Sequence, residues 1–295
     1  MGCWASCSFT CGFESALNGD GYPVLSGARQ VEARPESEGA GEPLIRVEKL
    51  RAAFGPKTIF SNVSFEIRAG EVIVIVGDSG CGKSTLLMHM IGLYKPAGGT
   101  INVAGFDVGT VQGKERLEML RMIGVAYQSG ALFGSMTLRE NIRLPLEEFT
   151  DLPSEAMDAI ALGKLNLVGL SHAAELLPSQ VSGGMQKRAA IARAMALDPK
   201  IIFLDEPSAG LDPITSASLD SLILELRKLL GMTFVVVSHE LPSIYTIADR
   251  CIVLQASKKT MVAEGPPAQL RDHPIDEWMR AFFNRDTISA KGNVA

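Results

Sequence analysis

Three short runs of this chain are apolar at nearly every position: Val72–Val76, Ile201–Leu204 and Thr233–Val237. A strand-length run without polar interruption predicts a strand covered on both faces, as parallel strands with helices above and below usually are. Leu44–Val47 and Val63–Ile67 instead alternate apolar and polar residues, which predicts half-buried antiparallel strands. Ile123–Tyr127 is strand-like as well. Between about 135 and 197 the spacing becomes helical, over Asn141–Leu144, Ser154–Leu170 and Met185–Leu197, with Pro145, Pro153 and Pro178 as predicted breaks. The pattern as a whole predicts an α/β core interrupted by a helical insert. Near the end, Ile275, Trp278, Met279, Phe282 and Phe283 form an apolar stripe at helical spacing. Such a stripe is expected to pack on its own domain, and a dimer contact is the alternative.

Residues 1–43 lack this periodicity. They are rich in Gly, Ser, Pro and Glu, with six acidic and two basic residues. A segment of that composition cannot bury enough apolar surface to order itself, so a disordered acidic tail is expected. It has neither the apolar core of a signal peptide nor the basic bias of a transit peptide. Met1-Gly2-Cys3-Trp4-Ala5-Ser6 fits the short N-myristoylation pattern, and a start placed too far upstream accounts for the segment at least as well. Cys3, Cys7 and Cys11 do not have a zinc spacing and read as free thiols. The chain has 295 residues, 46% of them hydrophobic, enough for one large domain or two small ones. Its net charge of −5 argues against a nucleic-acid partner. No run approaches the ~18–20 apolar residues of a membrane span, so a membrane role is expected to come through a partner.

The chemistry begins directly after Val76. Gly77-Asp78-Ser79-Gly80-Cys81-Gly82-Lys83-Ser84 is a Gly-x4-Gly-Lys-Ser phosphate loop, placed between a predicted buried strand and a helix expected over Thr85–Leu93. Backbone N–H groups of such a loop close around a polyphosphate, and the following helix aims its positive end at the same anion. Lys83 is suited to the terminal phosphates and the Ser84 hydroxyl to Mg2+. The loop predicts a nucleoside triphosphate as ligand and leaves open which class of enzyme or motor uses it.

Four further sites follow in order. Gln128 ends a strand-like stretch. Val181-Ser182-Gly183-Gly184-Met185 precedes a helix. Ile201–Leu204 ends in Asp205-Glu206, then Pro207 and Ser208-Ala209-Gly210-Leu211-Asp212. Ser238-His239 follows the third buried strand. Asp205, at a strand end, suits Mg2+ coordination. Glu206 beside it suits orientation and deprotonation of water. Ser182 reads as a helix N-cap, and the glycines after it expose N–H groups at the positive end of a helix.

Taken together, these motifs resemble the nucleotide-binding cassette of ABC transporters over about Leu44 to Gly265. The resemblance implies the fold: α/β, a phosphate-loop NTPase core of ABC type with an antiparallel β subdomain and a helical subdomain at about 135–197. The cassette spans 44–271, with a helical extension and tail at 272–295. It implies ATP and Mg2+ as cofactors and an ATPase activity. Gly77, Asp78, Ser79, Gly80, Cys81, Gly82, Lys83, Ser84 and Thr85 would bind ATP, and Phe54 would stack on adenine, although by itself Phe54 also reads as a core phenylalanine. Glu206 is then the base. His239 contacts the γ-phosphate, Gln128 senses it, and Ser84, Gln128 and Asp205 hold Mg2+. Ser182, Gly183, Gly184 and Met185 face the nucleotide of a second copy, and Asp212 lies on the loop linking the two sites. Val181, Met185 and Cys81 depart from the commoner Leu, Gln and Ser of the family without removing a group needed for hydrolysis.

Two stretches narrow the resemblance. One is Tyr127-Gln128-Ser129-Gly130-Ala131-Leu132-Phe133 with Met136–Asn141 and Leu144-Pro145-Leu146. The other is Leu177–Met185 with Asp205-Glu206-Pro207 and Gly210–Ile214. Both look like the ATPase of phospholipid and sterol transporters that work with MCE-domain proteins, the Mla-type systems, as does Arg280-Ala281-Phe282-Phe283-Asn284. This implies a homodimer on the cytoplasmic face of the inner membrane. Its partners would be an integral permease dimer, an MCE-domain substrate-binding protein and a small regulatory subunit, with no nucleic acid. The alternative is a polar amino-acid importer.

Overall fold

The computed structural model describes residues 43–285. The expectations for the acidic tail, its three cysteines, the myristoylation pattern and the last ten residues lie outside the described residues. In chain order the elements are β1 (Ile45–Phe54), β2 (Lys57–Ile67), β3 (Val72–Gly77), α1 (Lys83–Met90), β4 (Gly98–Val103), β5 (Phe106–Asp107), α2 (Gly113–Arg121), β6 (Ile123–Ala126), α3 (Leu138–Phe149), α4 (Ser154–Leu167), α5 (Gly183–Ala194), β7 (Ile201–Asp205), α6 (Pro213–Leu230), β8 (Thr233–Val237), α7 (Leu241–Ile247), β9 (Arg250–Gln255), β10 (Thr260–Gly265), α8 (Pro267–Asp272) and α9 (Glu277–Asn284).

The strands form two sheets. One has the order β2-β1-β4-β5 and is antiparallel throughout; the other has the order β10-β9-β3-β8-β7-β6. In the second sheet β9, β3, β8, β7 and β6 are mutually parallel, and only β10 runs antiparallel. The continuous apolar runs are explained by the two cores they separate. Val72, Val74 and Val76 of β3 enter a core shared with α3 to α7 and α9, while Ile73 and Ile75 point into a core shared with β1, β2 and α1. β7 divides in the same way, with Ile202 and Leu204 on one side and Ile201 and Phe203 on the other. A strand between two cores has no polar face, so its sequence cannot alternate.

Residues 135–197 hold α3, α4 and α5, with different bounds from those the pattern suggests. Pro145 does not break the helix: α3 runs through it from Leu138 to Phe149. The proline removes one ladder bond, but the helix is held at both sides of it. Thr137 and Glu140 form a capping box at its start, and Leu138, Ile142 and Leu146 are buried. Tertiary burial of this kind outweighs the local penalty. The predicted helices over Ser154–Leu170 and Met185–Leu197 end earlier, at Leu167 and Ala194. In the C-terminal stripe, Met279 and Phe283 are buried in the domain's own core and Trp278 and Phe282 pack partly against it, whereas Ile275 stays exposed. The Tyr245 hydroxyl donates to the Phe283 carbonyl at 2.9 Å, tying α9 to α7. Among the described residues no helix is long and apolar enough to cross a membrane.

Candidate active site

The parallel sheet decides where chemistry can happen. The carboxyl ends of parallel strands open onto one crevice, the usual ligand position in such sheets. β3 ends there in the loop Gly77–Gly82, β7 in Asp205-Glu206, β8 runs on to Ser238-His239, and β6 runs on to Tyr127-Gln128. Residues far apart in sequence thus share one edge.

The loop is held tightly. A Cβ on Gly77 would stand 2.2 Å from the Leu254 carbonyl oxygen of β9, so only glycine fits. The Asp78 carboxylate accepts from the Ala256 N–H at 2.9 Å, which pins the loop to the end of the neighbouring strand. Lys83 is the first residue of α1, and its ammonium donates back to the carbonyls of Gly77 (2.9 Å) and Asp78 (3.2 Å). That places the cation over the loop's own mouth. Cys81 is buried, and burial raises its thiol pKa. The Ser84 hydroxyl donates to Asp205 Oδ1 at 3.2 Å. Burial raises the Asp205 pKa, the Ser84 bond opposes this, and the Glu206 charge beside it adds to it.

Glu206 has an uncommon backbone: its φ is +49°, in the left-handed region. A non-glycine residue holds that conformation at a cost of about 1–3 kcal/mol, and only where its surroundings fix it. Here its N–H donates to the Val237 carbonyl at 2.9 Å, and its carbonyl accepts from Ala209 N–H at 3.2 Å. His239 Nδ1 stands 2.8 Å from both carboxylate oxygens, with hydrogen-bonding geometry only to Oε1. Oε2 is buried and has no hydrogen-bond partner among the described residues. An ionised carboxylate can accept a proton from water.

A cavity of about 550 Å³ adjoins these groups and is lined by Tyr127, Gln128, Ser129, Asp205, Ala209 and Gly210. Another of about 560 Å³ has His239, Glu240 and Asp220 in its wall, but no residue of the phosphate loop. The first holds Asp205, which accepts from Ser84 at the start of α1, and Gln128; the second holds His239.

Other predicted site residues sit elsewhere. Phe54 ends β1 and is 48% exposed, so it is not a core residue. Its ring meets Tyr94 edge-on, with centroids 5.2 Å apart, and Tyr94 meets His89 of α1 at 5.7 Å. Ser182 caps α5, accepting from Met185 N–H at 3.3 Å. Ser182 and Gly183 are exposed, and among the described residues they make no hydrogen bond to Gly77–Thr85. Met185 packs partly against the core. A Cβ on Gly184 would stand 2.5 Å from Thr215 Cγ2, so the start of α5 lies against the start of α6. Asp212 caps α6, accepting from the N–H groups of Ile214 and Thr215 at 3.0 Å; its bond to Thr215 lowers its pKa. Two residues passed over in the sequence touch the site: Tyr94, beside Phe54, and Lys187 on α5. Neither carries a local motif, and only their position in the fold reveals them.

The family model described as ABC transporter matches residues 60–209. That stretch holds the loop, Gln128, the Ser182-Gly183-Gly184 turn and Asp205-Glu206. The chain belongs to the ABC transporter family. Curated relatives agree. The chain is 40% identical over 241 residues to the intermembrane phospholipid transport system ATP-binding protein MlaF of Escherichia coli K12, covering 82% of this chain and 88% of that one. It is also 40% identical over 250 residues to the probable ribonucleotide transport ATP-binding protein mkl of Mycobacterium leprae, covering 84% and 71%. Among solved structures it resembles the dimeric structure of MJ0796, a bacterial ABC transporter cassette, with TM-score 0.68 and 31% identity over 75% of this chain and 98% of that one. This cassette is an ATP-binding, ATP-hydrolysing subunit.

Proposed function

We propose that this cassette powers the movement of phospholipid between membranes, through a permease that it drives but does not itself form. Glu206 is the base: it takes the proton of the attacking water, and His239, bonded to it, keeps that carboxylate oriented and meets the γ-phosphate. The observation that carries this is the Glu206 carboxylate just past the end of β7, held 2.8 Å from His239 Nδ1 with its backbone fixed in the left-handed conformation beside Asp205. Lys83 neutralises the terminal phosphates. Gln128 reads whether the γ-phosphate is present. Phe54, braced by Tyr94, stacks on the adenine.

Ser84, Gln128 and Asp205 fit Mg2+. They are oxygen donors with a single carboxylate among them: Gln128 and Asp205 line one cavity, and the Ser84 hydroxyl donates to Asp205 Oδ1 at 3.2 Å. Among the described residues no group of three or more His, Cys, Asp or Glu could form a metal cage, which suits an ion held by one carboxylate, neutral oxygens and the nucleotide's phosphates. When bound, Mg2+ would neutralise charge on the phosphate oxygens.

Ser182, Gly183 and Gly184 would serve the ATP of a second copy, so the working unit is a homodimer with two shared sites. Asp212 links them, since the α6 start that it caps lies against the Gly184 turn. The dimer would sit on the cytoplasmic face of the inner membrane against two permease subunits. An MCE-domain protein would lie on the other side, and a small regulatory subunit would complete the system. The phospholipid assignment rests on the relative named for phospholipid transport and on the two resembling stretches around Gln128 and Ser182. The relative named for ribonucleotide transport supplies a second reading; a polar amino-acid importer draws no support from either name.

The test is the complex recovered from membranes with the tagged full-length chain, reconstituted into vesicles. ATP-dependent transfer of labelled phospholipid to acceptor vesicles, lost in Glu206→Gln, is the expected result. ATP-dependent movement of a ribonucleotide or an amino acid, with phospholipid static, would overturn the assignment.

A further inference from the structure

The signature helix α5 carries a cation that belongs to neither the phosphate loop nor the signature turn. Lys187 lies three residues after Gly184, on the inner side of the helix. Its ammonium donates to the Gln128 carbonyl oxygen, and also to the Glu206 carbonyl oxygen at 3.4 Å. The same helix reaches the following part of the Gln128 loop through Arg193, whose guanidinium donates to the carbonyls of Ala131 (2.7 Å) and Gly130 (3.1 Å). The backbones also meet closely: a Cβ on Gly124 of β6 would stand 2.1 Å from the Ala194 carbonyl. α5 and the segment from β6 through Gly130 are therefore one packed unit.

Lys187 stands in a particular electrostatic position. Burial lowers its pKa, and the carboxylates of Glu206, Asp205 and Glu240 pull it back up. No other lysine hydrogen-bonds Gln128 or Glu206 among the described residues. Its two acceptors are backbone atoms of the two residues proposed as sensor and base, and one of these, Glu206, is held in the left-handed conformation. A charge-assisted bond to that carbonyl supplies part of what such a conformation needs.

We propose that Lys187 is a positioning residue for ATP hydrolysis, joining the signature helix to the backbone of Gln128 and Glu206 so that the sensor, the base and the surface offered to the second copy move as one unit. The inference rests on the roles assigned to Gln128 and Glu206 above. It deepens that reading by giving the signature helix a task inside its own chain. Docking of the second nucleotide at Ser182 and Gly183 then acts through α5 on the base of the first site. A lysine ammonium has three donors on a flexible stem. An arginine can reach two carbonyls, a methionine of similar length none.

The experiment compares the full-length Lys187→Met, Lys187→Arg and Glu206→Gln variants with the wild type. ATP affinity is read by equilibrium binding, kcat and KM by steady-state turnover, and integrity by thermal melting. Lys187→Met is expected to lose about tenfold or more in kcat, with ATP affinity and melting temperature close to wild type. Lys187→Arg is expected to return kcat to within about threefold. If Lys187→Met keeps kcat within twofold of wild type, or if Lys187→Arg falls as far as Lys187→Met, the positioning role is wrong. A Lys187→Met loss seen wholly in ATP affinity or in melting also overturns it. Glu206→Gln separates this failure from that of the functional reading: turnover surviving in Glu206→Gln removes the base, whereas its abolition beside an unaffected Lys187→Met removes only the proposal for Lys187.

Discussion

The phosphate-loop helix α1 and the signature helix α5 each have glycine at their start, as the N-cap of α1 and the first residues of α5, and they are built in opposite ways. α1 starts at a surface whose groups are tied down within the chain. Its loop is pinned by the Asp78–Ala256 bond, Gly77 has no room for a Cβ, and Lys83 and Ser84 are engaged with loop carbonyls and with Asp205. α5 starts on the surface. Ser182 caps its own helix, Gly183 is exposed, and a Cβ on Gly183 would meet nothing closer than Leu211 Cδ2 at 3.9 Å. One end is a finished half of a site, whose glycine is required by the fold. The other has glycines that its own fold only partly requires. The difference teaches that the absent requirement is to be sought outside the chain, in a nucleotide held by a second copy.

The largest effect expected is Glu206→Gln. It keeps the size and both backbone bonds of Glu206 but removes the base, so steady-state hydrolysis should fall by about 10³-fold with ATP binding retained. A loss of only a few-fold would remove Glu206 as base. The two glycine ends can then be set against each other. Gly183→Ala should melt within about 0.5 kcal/mol of wild type yet lose about 10²-fold in turnover, as a methyl moves the facing N–H groups off their ligand. Gly77→Ala should destabilise the fold itself by about 3 kcal/mol, because its Cβ meets a backbone carbonyl. Denaturant unfolding beside turnover reads both, and equal behaviour of the two variants would break the comparison.

Asp205 sharpens the finished end. Burial raises its pKa in the folded chain above that of the unfolded chain. The fold thus favours the protonated form, and the stability it gains below the unfolded pKa is lost as pH rises through the folded one. In metal-free buffer, Asp205→Asn should therefore melt above wild type at neutral pH, with the gap closing as pH falls through the carboxylate range. Melting curves across that range check the sign. The smallest effect expected is Thr137→Ala. It removes half of the capping box on α3, at neither glycine end, and should cost about 1 kcal/mol of stability with turnover unchanged.

Much of this site is legible in the sequence alone. The phosphate loop, Asp205-Glu206 and His239 are local patterns attached to buried strands, and the strands betray themselves because both of their faces are covered. The helical insert was legible in type but not in bounds. Pro145 looks like a breaker because a sequence window sees its lost N–H and not the burial of Ile142 and Leu146 that holds the helix together. Lys187 and Tyr94 were illegible for the same kind of reason. A lysine on a helix and a tyrosine after one have no local signature, and their partners lie 59 residues away at Gln128 and on the end of β1 at Phe54. The left-handed Glu206 also depends on distant contacts, with Val237 and Lys187.

The central claim is that each ATP is enclosed by two copies of this chain. It is tested most directly by the structure of the Glu206→Gln chain with ATP and Mg2+. The account predicts two chains related by twofold symmetry, each nucleotide lying between Lys83 of one copy and the Ser182-Gly183 turn of the other. A nucleotide wholly enclosed by one chain, with no Ser182 beside its phosphates, would contradict it.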